Sequence, residues 1–507
     1  MNIRLFILSM LISLSAFSQT SKLTIVVRAD QNLKESWKEK GRLVVYLSKN
    51  GERPPLIQGT FASGRSGFGL NTKGWDISIK TIINAGNTYA ASDFSLDQVP
   101  AGKWFTQVVY SISETPDLRA AGNFYSDVKE IELTGGIQSI ELQLSKTINK
   151  RPNSDPKDTE LVKYITLESE LLSKFWGKKM NTEASVLLPK NFDKNGSKKY
   201  PLRINIGGYS SSWTRTNRLE KNKEFMDWWL SDEAPQFIQL FLNGANGPWG
   251  DPYYIDSENN GPYGSALTQE LIPYIEKEFN CMGLPDYRFL DGCSTGGWVS
   301  FALQVFYPDY FNGAWSFSAD PVDFHHMQLV NMYKDKSAFE NAYGYITPSM
   351  RSTTGQPRLS IKDEVAGENL VSNENTYTTS GGQWGGWNAS YSPKGEDGLP
   401  EAAFHPTTGK IDTAVVEHWK KYDLLKIMKD NWAELGPKLQ GKIWVWMGDM
   451  DQFYLNNAMR EMDNFLKSTK NPKSDAEVIF EPMKGHCEEF DHRWVLEMMQ
   501  EKLESIK

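Results

Sequence analysis

Two rhythms of apolar and polar positions divide the chain. Residues 23–28, 41–47, 75–80 and 104–112 are β-branched and aromatic runs separated by clusters of Gly, Asn, Asp and Pro. That is the pattern of short strands joined by tight turns. Residues 130–133 and 139–144 alternate with period two on either side of Gly135-Gly136, which predicts a hairpin. A small β-sandwich over residues 19–148 follows from this spacing. Its stretch of sequence holds neither His nor Cys, so no chemistry is expected there. A polar segment with two prolines, residues 149–158, reads as a linker.

Beyond it the rhythm changes. Apolar runs at 164–167, 183–188, 200–206, 237–242, 287–290, 314–317, 443–447 and 477–480 read as strands. Helical periodicity fills 267–279, 299–306, 456–466 and 493–506. Alternating strands and helices predict a mainly parallel sheet covered on both faces, spanning 159–507. Residues 322–420 break the alternation, with a Gly-, Ser-, Thr- and Trp-rich stretch at 372–392. They predict a long insertion that forms a lid or a pocket wall.

The first 18 residues carry one Arg, the apolar run 5–14, and small residues at Ala16 and Ser18. This describes a cleavable signal peptide. The run falls short of the roughly 20 apolar residues a membrane span needs. No Cys follows it, so no lipid or membrane anchor is expected. A secreted or periplasmic protein results, in a compartment where disulfides persist. The formal net charge of −8 offers no basic footprint for nucleic acid or anionic lipid.

Candidate chemistry lies in the second region. Gly292-Cys293-Ser294-Thr295-Gly296 stands between a short apolar strand and a helix. There, G-x-S-x-G forms a strained turn that exposes the serine hydroxyl as a nucleophile. Of six histidines, only His486 and His492 follow the last predicted strand. His486 lies in the loop directly after it, where a general base belongs. The orienting acid should follow the preceding strand, which ends in Gly448-Asp449-Met450-Asp451. Asp451 is favoured because a loop position beyond the glycine reaches the histidine more easily; Asp449 is the alternative. Oxyanion donors are expected at the amides of Thr295 and of Tyr209, the latter after Gly207-Gly208.

Two of the three cysteines adjoin these residues. Cys281 and Cys293 bracket a strand from opposite ends, beyond the limit of about 7 Å between α-carbons for a disulfide. Cys487, next to His486, is the expected mate of Cys293, leaving Cys281 a buried free thiol. Trp249, Trp298 and Trp384 are expected at the pocket mouth, where flat rings suit aryl groups and sugar faces. Asp320, Asp323, His325 and His326 follow the strand after the elbow helix and are candidates to line the pocket or bind a metal, but their spacing matches no known metal site. Neither a metal nor another cofactor is expected.

At these residues the chain resembles the esterase D-like "putative esterase" group of α/β-hydrolases. The resemblance covers about 160 to 507 and rests on Ala184-Ser185-Val186-Leu187-Leu188-Pro189, Tyr200-Pro201 to Gly207-Gly208, Glu270-Leu271-Ile272-Pro273-Tyr274-Ile275 and the elbow. The Cys293-Ser294, Asp451 and His486-Cys487 arrangement also resembles that of tannases and fungal feruloyl esterases, in which a disulfide joins the neighbours of Ser and His. The chain departs from that family in its added β domain and in an insertion without the larger lid and its calcium motif, which argues against a tannin substrate. The resemblance implies an α/β-hydrolase fold, to which the strand spacing of residues 19–148 adds an N-terminal all-β sandwich domain. It further implies a serine esterase, acting through an acyl-enzyme on a small-molecule or polysaccharide ester of feruloyl or acetyl type. A serine peptidase on the same fold, or a catalytically inactive glycan-binding protein, are the alternatives.

Overall fold

A computed structural model describes residues 19–58, 65–150 and 155–505. The expected signal peptide, and residues 151–154 of the expected linker, lie outside the described residues. The chain divides into two compact units. One comprises residues up to Ile112 together with Asn123–Ile148; the other comprises Ser113–Gly122 and Asn149–Lys507.

The first unit is all-β, built on one ten-stranded sheet. Ile25, Val45, Phe68, Val108, Leu133 and Leu144, from different strands, all enter one core. A single sheet can place all of them in one core only by folding over on itself. Two expectations fail here. Residues 75–80 form turns rather than a strand. Asp76 accepts the Ser78 amide (2.7 Å) and the Trp75 indole donates to the Ile79 carbonyl (2.8 Å), so local side-chain bonding defeats strand propensity. The hairpin about Gly135-Gly136 is also absent. Lys129–Leu133 pairs antiparallel with Gly102–Ser111, whereas Gly136–Thr147 pairs parallel with Thr20–Ala29 and antiparallel with Phe124–Ser126. Period-two alternation reported which residues face the core, not which strand each would join.

The second unit contains an eight-stranded sheet whose strands are, in chain order, β1 (Val162–Glu168), β2 (Asn181–Leu187), β3 (Leu202–Ile206), β4 (Ile238–Leu242), β5 (Arg288–Cys293), β6 (Ala314–Phe317), β7 (Ile443–Gly448) and β8 (Glu477–Glu481). Every apolar run read as a strand in this region is one. Their spatial order is β1-β2-β4-β3-β5-β6-β7-β8, antiparallel at β1/β2 and β2/β4 and parallel from β4 onward. This is the α/β-hydrolase arrangement. All residues of β3, β4, β5 and β6 are buried, as a sheet covered on both faces requires. The longer helices used below are α1 (Thr295–Phe306), α2 (Ile361–Val371), α3 (Gln383–Tyr391), α4 (Leu424–Leu439), α5 (Asn456–Ser468) and α6 (His492–Glu504). The segment between β6 and β7 holds α2, α3, α4 and the two-stranded hairpin Pro348–Arg351/Pro357–Ser360. The stretch 372–392 is therefore not all loop. Glu368 on α2 accepts the amides of Trp384 and Gly385 (2.9 and 3.0 Å) and so caps the start of α3, which lets a Gly-containing sequence hold a helix.

Candidate active site

Ser294 joins β5 to α1 with φ 62° and ψ −128°, a region that non-glycine residues enter only at a cost of about 1–3 kcal/mol. The surroundings enforce it. A Cβ at Gly292 would lie 2.4 Å from the Ile206 carbonyl oxygen, and one at Gly296 would lie 2.0 Å from it. The turn is thus pressed against the end of β3, and only small flanking residues fit. Within the buried run from Phe289 to Phe306, Ser294 and Phe306 alone retain appreciable exposure. The chain has lifted one hydroxyl out of the core.

The loops after β7 and β8 meet beside it. The Asp449 amide donates to the Glu481 carbonyl (3.0 Å) and the Met450 amide to the Lys484 carbonyl (2.9 Å). A Cβ at Gly448 would lie 2.2 Å from the Gly485 carbonyl oxygen, so this close approach demands the glycine before the acidic pair. His486 Nδ1 donates to Asp451 Oδ2 at 2.7 Å. Asp451 is fully buried, and its Oδ1 accepts the amides of Phe453 (2.8 Å) and Leu455 (3.3 Å). Asp449 turns outward and pairs with Arg460 instead. Of the two carboxylates, Asp451 is the one brought to the histidine. Burial alone would lower the His486 pKa, but the charge and hydrogen bond of Asp451 outweigh it and hold the ring above its ordinary value, with Asp320 adding to the rise.

Cys293 and Cys487 are disulfide-bonded, with α-carbons 6.0 Å apart across 194 positions of sequence. Cys281 is free and buried. One covalent bond therefore ties the residues next to Ser294 and His486. The Cys487 amide also donates to Ser318 Oγ (3.1 Å), just beyond β6. The Ser294 hydroxyl makes no hydrogen bond with the His486 ring among the described residues, which is common before substrate tightens such contacts.

The Thr295 and Tyr209 amides give no hydrogen bond to a backbone acceptor among the described residues. Gly208 lies against Ser294: a Cβ there would sit 3.6 Å from the serine Cβ. Tyr209 is pinned by its hydroxyl, which donates to the Gly381 and Gly382 carbonyls (3.0 and 2.7 Å) just before α3. Two of the three expected aromatic contacts are not surface rings. Trp298 has no exposed surface, donates to the Pro321 carbonyl (3.1 Å) and packs edge-on against Tyr253. Trp384, also fully buried, packs edge-on against Trp387. Helical periodicity turns the Trp298 ring toward Tyr391 of the insertion and the Trp384 ring into the insertion's own core against Trp387 and Phe404. Trp249 remains half-buried, with an indole N–H that has no partner among the described residues.

Two residues at the site, Arg351 and Gln452, carried no sequence signal. Arg351, in the insertion hairpin, donates to the Asp451 carbonyl (2.9 Å), and its own amide donates to the Gln452 carbonyl (2.8 Å). The Gln452 side chain in turn accepts the His486 amide (2.5 Å). Asp320 accepts three hydrogen bonds beside the elbow. Asp323, His325 and Asp423 offer ligand atoms within 4.8 Å of one another. However, Asp323 Oδ1 already binds His325 Nδ1 (2.6 Å), and Asp423 Oδ2 accepts the Phe324 amide and the Tyr333 hydroxyl. These oxygens have structural work that needs no ion.

Residues 177–505 match the "Putative esterase" family. No curated protein matches the chain in sequence. Similar solved structures include a ferulic acid esterase (18% identity, 68% of this chain and 96% of that one, TM-score 0.40). Another is FphF, a fluorophosphonate-binding serine hydrolase of Staphylococcus aureus (14%, 68% and 98%, TM-score 0.39). A third is an S-formylglutathione hydrolase from Agrobacterium tumefaciens (13%, 69% and 96%, TM-score 0.38). The family match spans well over half of the chain, with the elbow, the acid and the histidine inside it, and the protein thus belongs to the Putative esterase family and is a carboxylic ester hydrolase.

Proposed function

We propose that Ser294, His486 and Asp451 form a catalytic triad that cleaves carboxylic esters through an acyl-enzyme. Nε2 of His486 takes the Ser294 proton as Oγ attacks the ester carbonyl. The amides of Thr295 and Tyr209, the former at the start of α1, receive the developing oxyanion. His486 passes the proton to the leaving alcohol, and water then attacks the acyl-enzyme with the same ring as base. Asp451 fixes the tautomer, because its bond to Nδ1 leaves Nε2 free to face the serine. The observation that carries this reading is the pairing of the 2.7 Å Asp451–His486 bond with the Cys293–Cys487 disulfide. Together they hold base and nucleophile in register from both sides.

The substrate we propose is an acylated polysaccharide or an aryl ester of feruloyl or acetyl type. Half-buried Trp249 supports it with a ring able to stack on either. The signal-like first 18 residues and the disulfide support action outside the cytoplasm. Labelling with an alkyl fluorophosphonate tests the reading: Ser294 should be modified, Ser294→Ala should not, and p-nitrophenyl acetate and methyl ferulate should be hydrolysed. A Ser294→Ala protein that keeps its activity refutes it.

A further inference from the structure

Asp320 follows β6 and is 3% exposed. Its backbone amide approaches the Ser294 carbonyl (3.4 Å), which places it against the elbow. Its Oδ2 accepts three neutral donors: the Tyr253 hydroxyl (2.7 Å), the Thr295 hydroxyl (2.9 Å) and the Trp387 indole (3.1 Å). Gln383 donates to the Tyr253 hydroxyl (2.7 Å), which leaves that hydroxyl's proton for Asp320. By contrast, Oδ1 accepts nothing among the described residues, and no Lys or Arg there pairs with the carboxylate. Burial pushes its pKa up, and its hydrogen bonds only partly offset that. A hub that merely joined three donors would need one oxygen, and an amide carbonyl would serve without the cost of burying an acid. The open oxygen beside a nucleophile points to a donor arriving from outside.

We propose that Asp320 is a specificity-determining carboxylate, whose Oδ1 accepts a hydrogen bond from a hydroxyl next to the scissile ester in the substrate's alcohol portion. The Asp320 amide reaches the Ser294 carbonyl and its charge is felt at His486, the ring that hands its proton to the leaving alcohol, so an alcohol leaving from Ser294 departs close to this carboxylate. The preferred substrates are then monoesters of vicinal diols, the chemistry of an acylated sugar, rather than esters of simple alcohols. A hydroxyl fits better than an ammonium because a buried carboxyl can accept from it in either protonation state. This inference rests on Ser294 being the nucleophile.

The test compares kcat/KM for methyl 2-O-acetyl-β-xylopyranoside, its 3-deoxy analogue and its 3-amino-3-deoxy analogue, with p-nitrophenyl acetate as a measure of the Ser294 chemistry alone. A hydrogen bond to a charged group predicts a preference of about 10- to 100-fold for the hydroxylated sugar over the 3-deoxy sugar. In Asp320→Asn that ratio should collapse toward one. If that variant does not fold, Asp320→Glu, which moves the open oxygen by one methylene, should lower the ratio. A wild-type ratio near one, a ratio that survives either substitution, or faster turnover of the amino sugar each overturns the proposal. So does turnover of p-nitrophenyl acetate with no turnover of the sugars. Loss of every activity in the folded wild-type protein would count instead against the Ser294 reading.

Discussion

Two buried carboxylates near the elbow differ in their partners. Asp291, on β5, faces a fully buried guanidinium: Arg203 Nη2 and Nε reach its two oxygens at 2.6 and 2.8 Å. Asn205 adds a third bond to it, and Arg203 continues to Gln239 and to His492 Nδ1. Asp320, past the end of β6, meets only neutral donors and keeps one oxygen open. The first network is closed, with each charge answered within the sheet and α6. The second, beside the elbow, leaves one carboxylate oxygen without a donor among the described residues. Closure marks a carboxylate that holds strands together, and an unanswered oxygen marks one that waits for a ligand. The histidines divide in the same way. Burial and the nearby Arg203 and Arg215 push His492 well below its ordinary pKa, keeping it neutral inside the closed network. His486 is held above its own by Asp451.

Substitutions should separate these networks. The largest effect is expected from Asp451→Asn, which leaves His486 in the wrong tautomer and should lower kcat by about 10⁴-fold. Hydrolysis of p-nitrophenyl acetate measures it, and a loss under tenfold would remove Asp451 from the mechanism. Asp291→Ala leaves a buried guanidinium unpaired and should cost about 3–5 kcal/mol of stability, read from urea unfolding. A variant as stable as the parent would show that the closed network holds nothing. Reduction of the Cys293–Cys487 bond should cost about 2–4 kcal/mol. Activity should fall at lower dithiothreitol than the near-ultraviolet dichroism does, and coincident loss would make the bridge a staple of the whole fold. Arg351→Lys keeps the charge but loses the fork that grips the Asp451 loop. It should raise the spread of His486 orientations and lower kcat by about tenfold, with KM little changed; a change in KM alone would place Arg351 at the substrate.

The smallest effect is the dependence on pH. The base must be unprotonated, so kcat/KM should rise through a pKa above the ordinary histidine value of about 6.5. Asp451→Asn should move that limb to lower pH, because burial is then opposed only by Asp320. Stability runs the other way. A histidine whose pKa is raised on folding stabilises the protein below its unfolded pKa, and this contribution fades as pH rises through the folded value. An acid limb unmoved by Asp451→Asn would mean that another group sets it.

Much of this was legible in the residues. All eight strands of the second sheet were, because a buried parallel strand is a compact apolar run flanked by turn residues. The positions of Ser294 and His486 beyond strand ends and the disulfide were too, because each occupies a fixed place relative to a strand. The choice between Asp449 and Asp451 was left to loop geometry, since both carboxylates follow the same glycine. The hairpin at Gly135-Gly136 was misread because alternation reports a face and not a partner. Trp298 and Trp384 were misassigned because composition does not say which way a ring on a helix turns. Arg351 was invisible as a site residue, since it acts across 100 positions of sequence; Asp320 stood out by its place after a strand end, but its bond to Thr295 across 25 positions did not.

The order of residues by itself determined the elbow, the strand ends that present the chemistry, and the cysteines able to join them, because each is a local pattern repeated along one chain direction. Only the tertiary structure decided which acid reaches the base, which rings are buried, and which carboxylates find a cation. Those outcomes depend on distances between segments far apart in sequence, and on the removal of water that makes an unpaired charge costly.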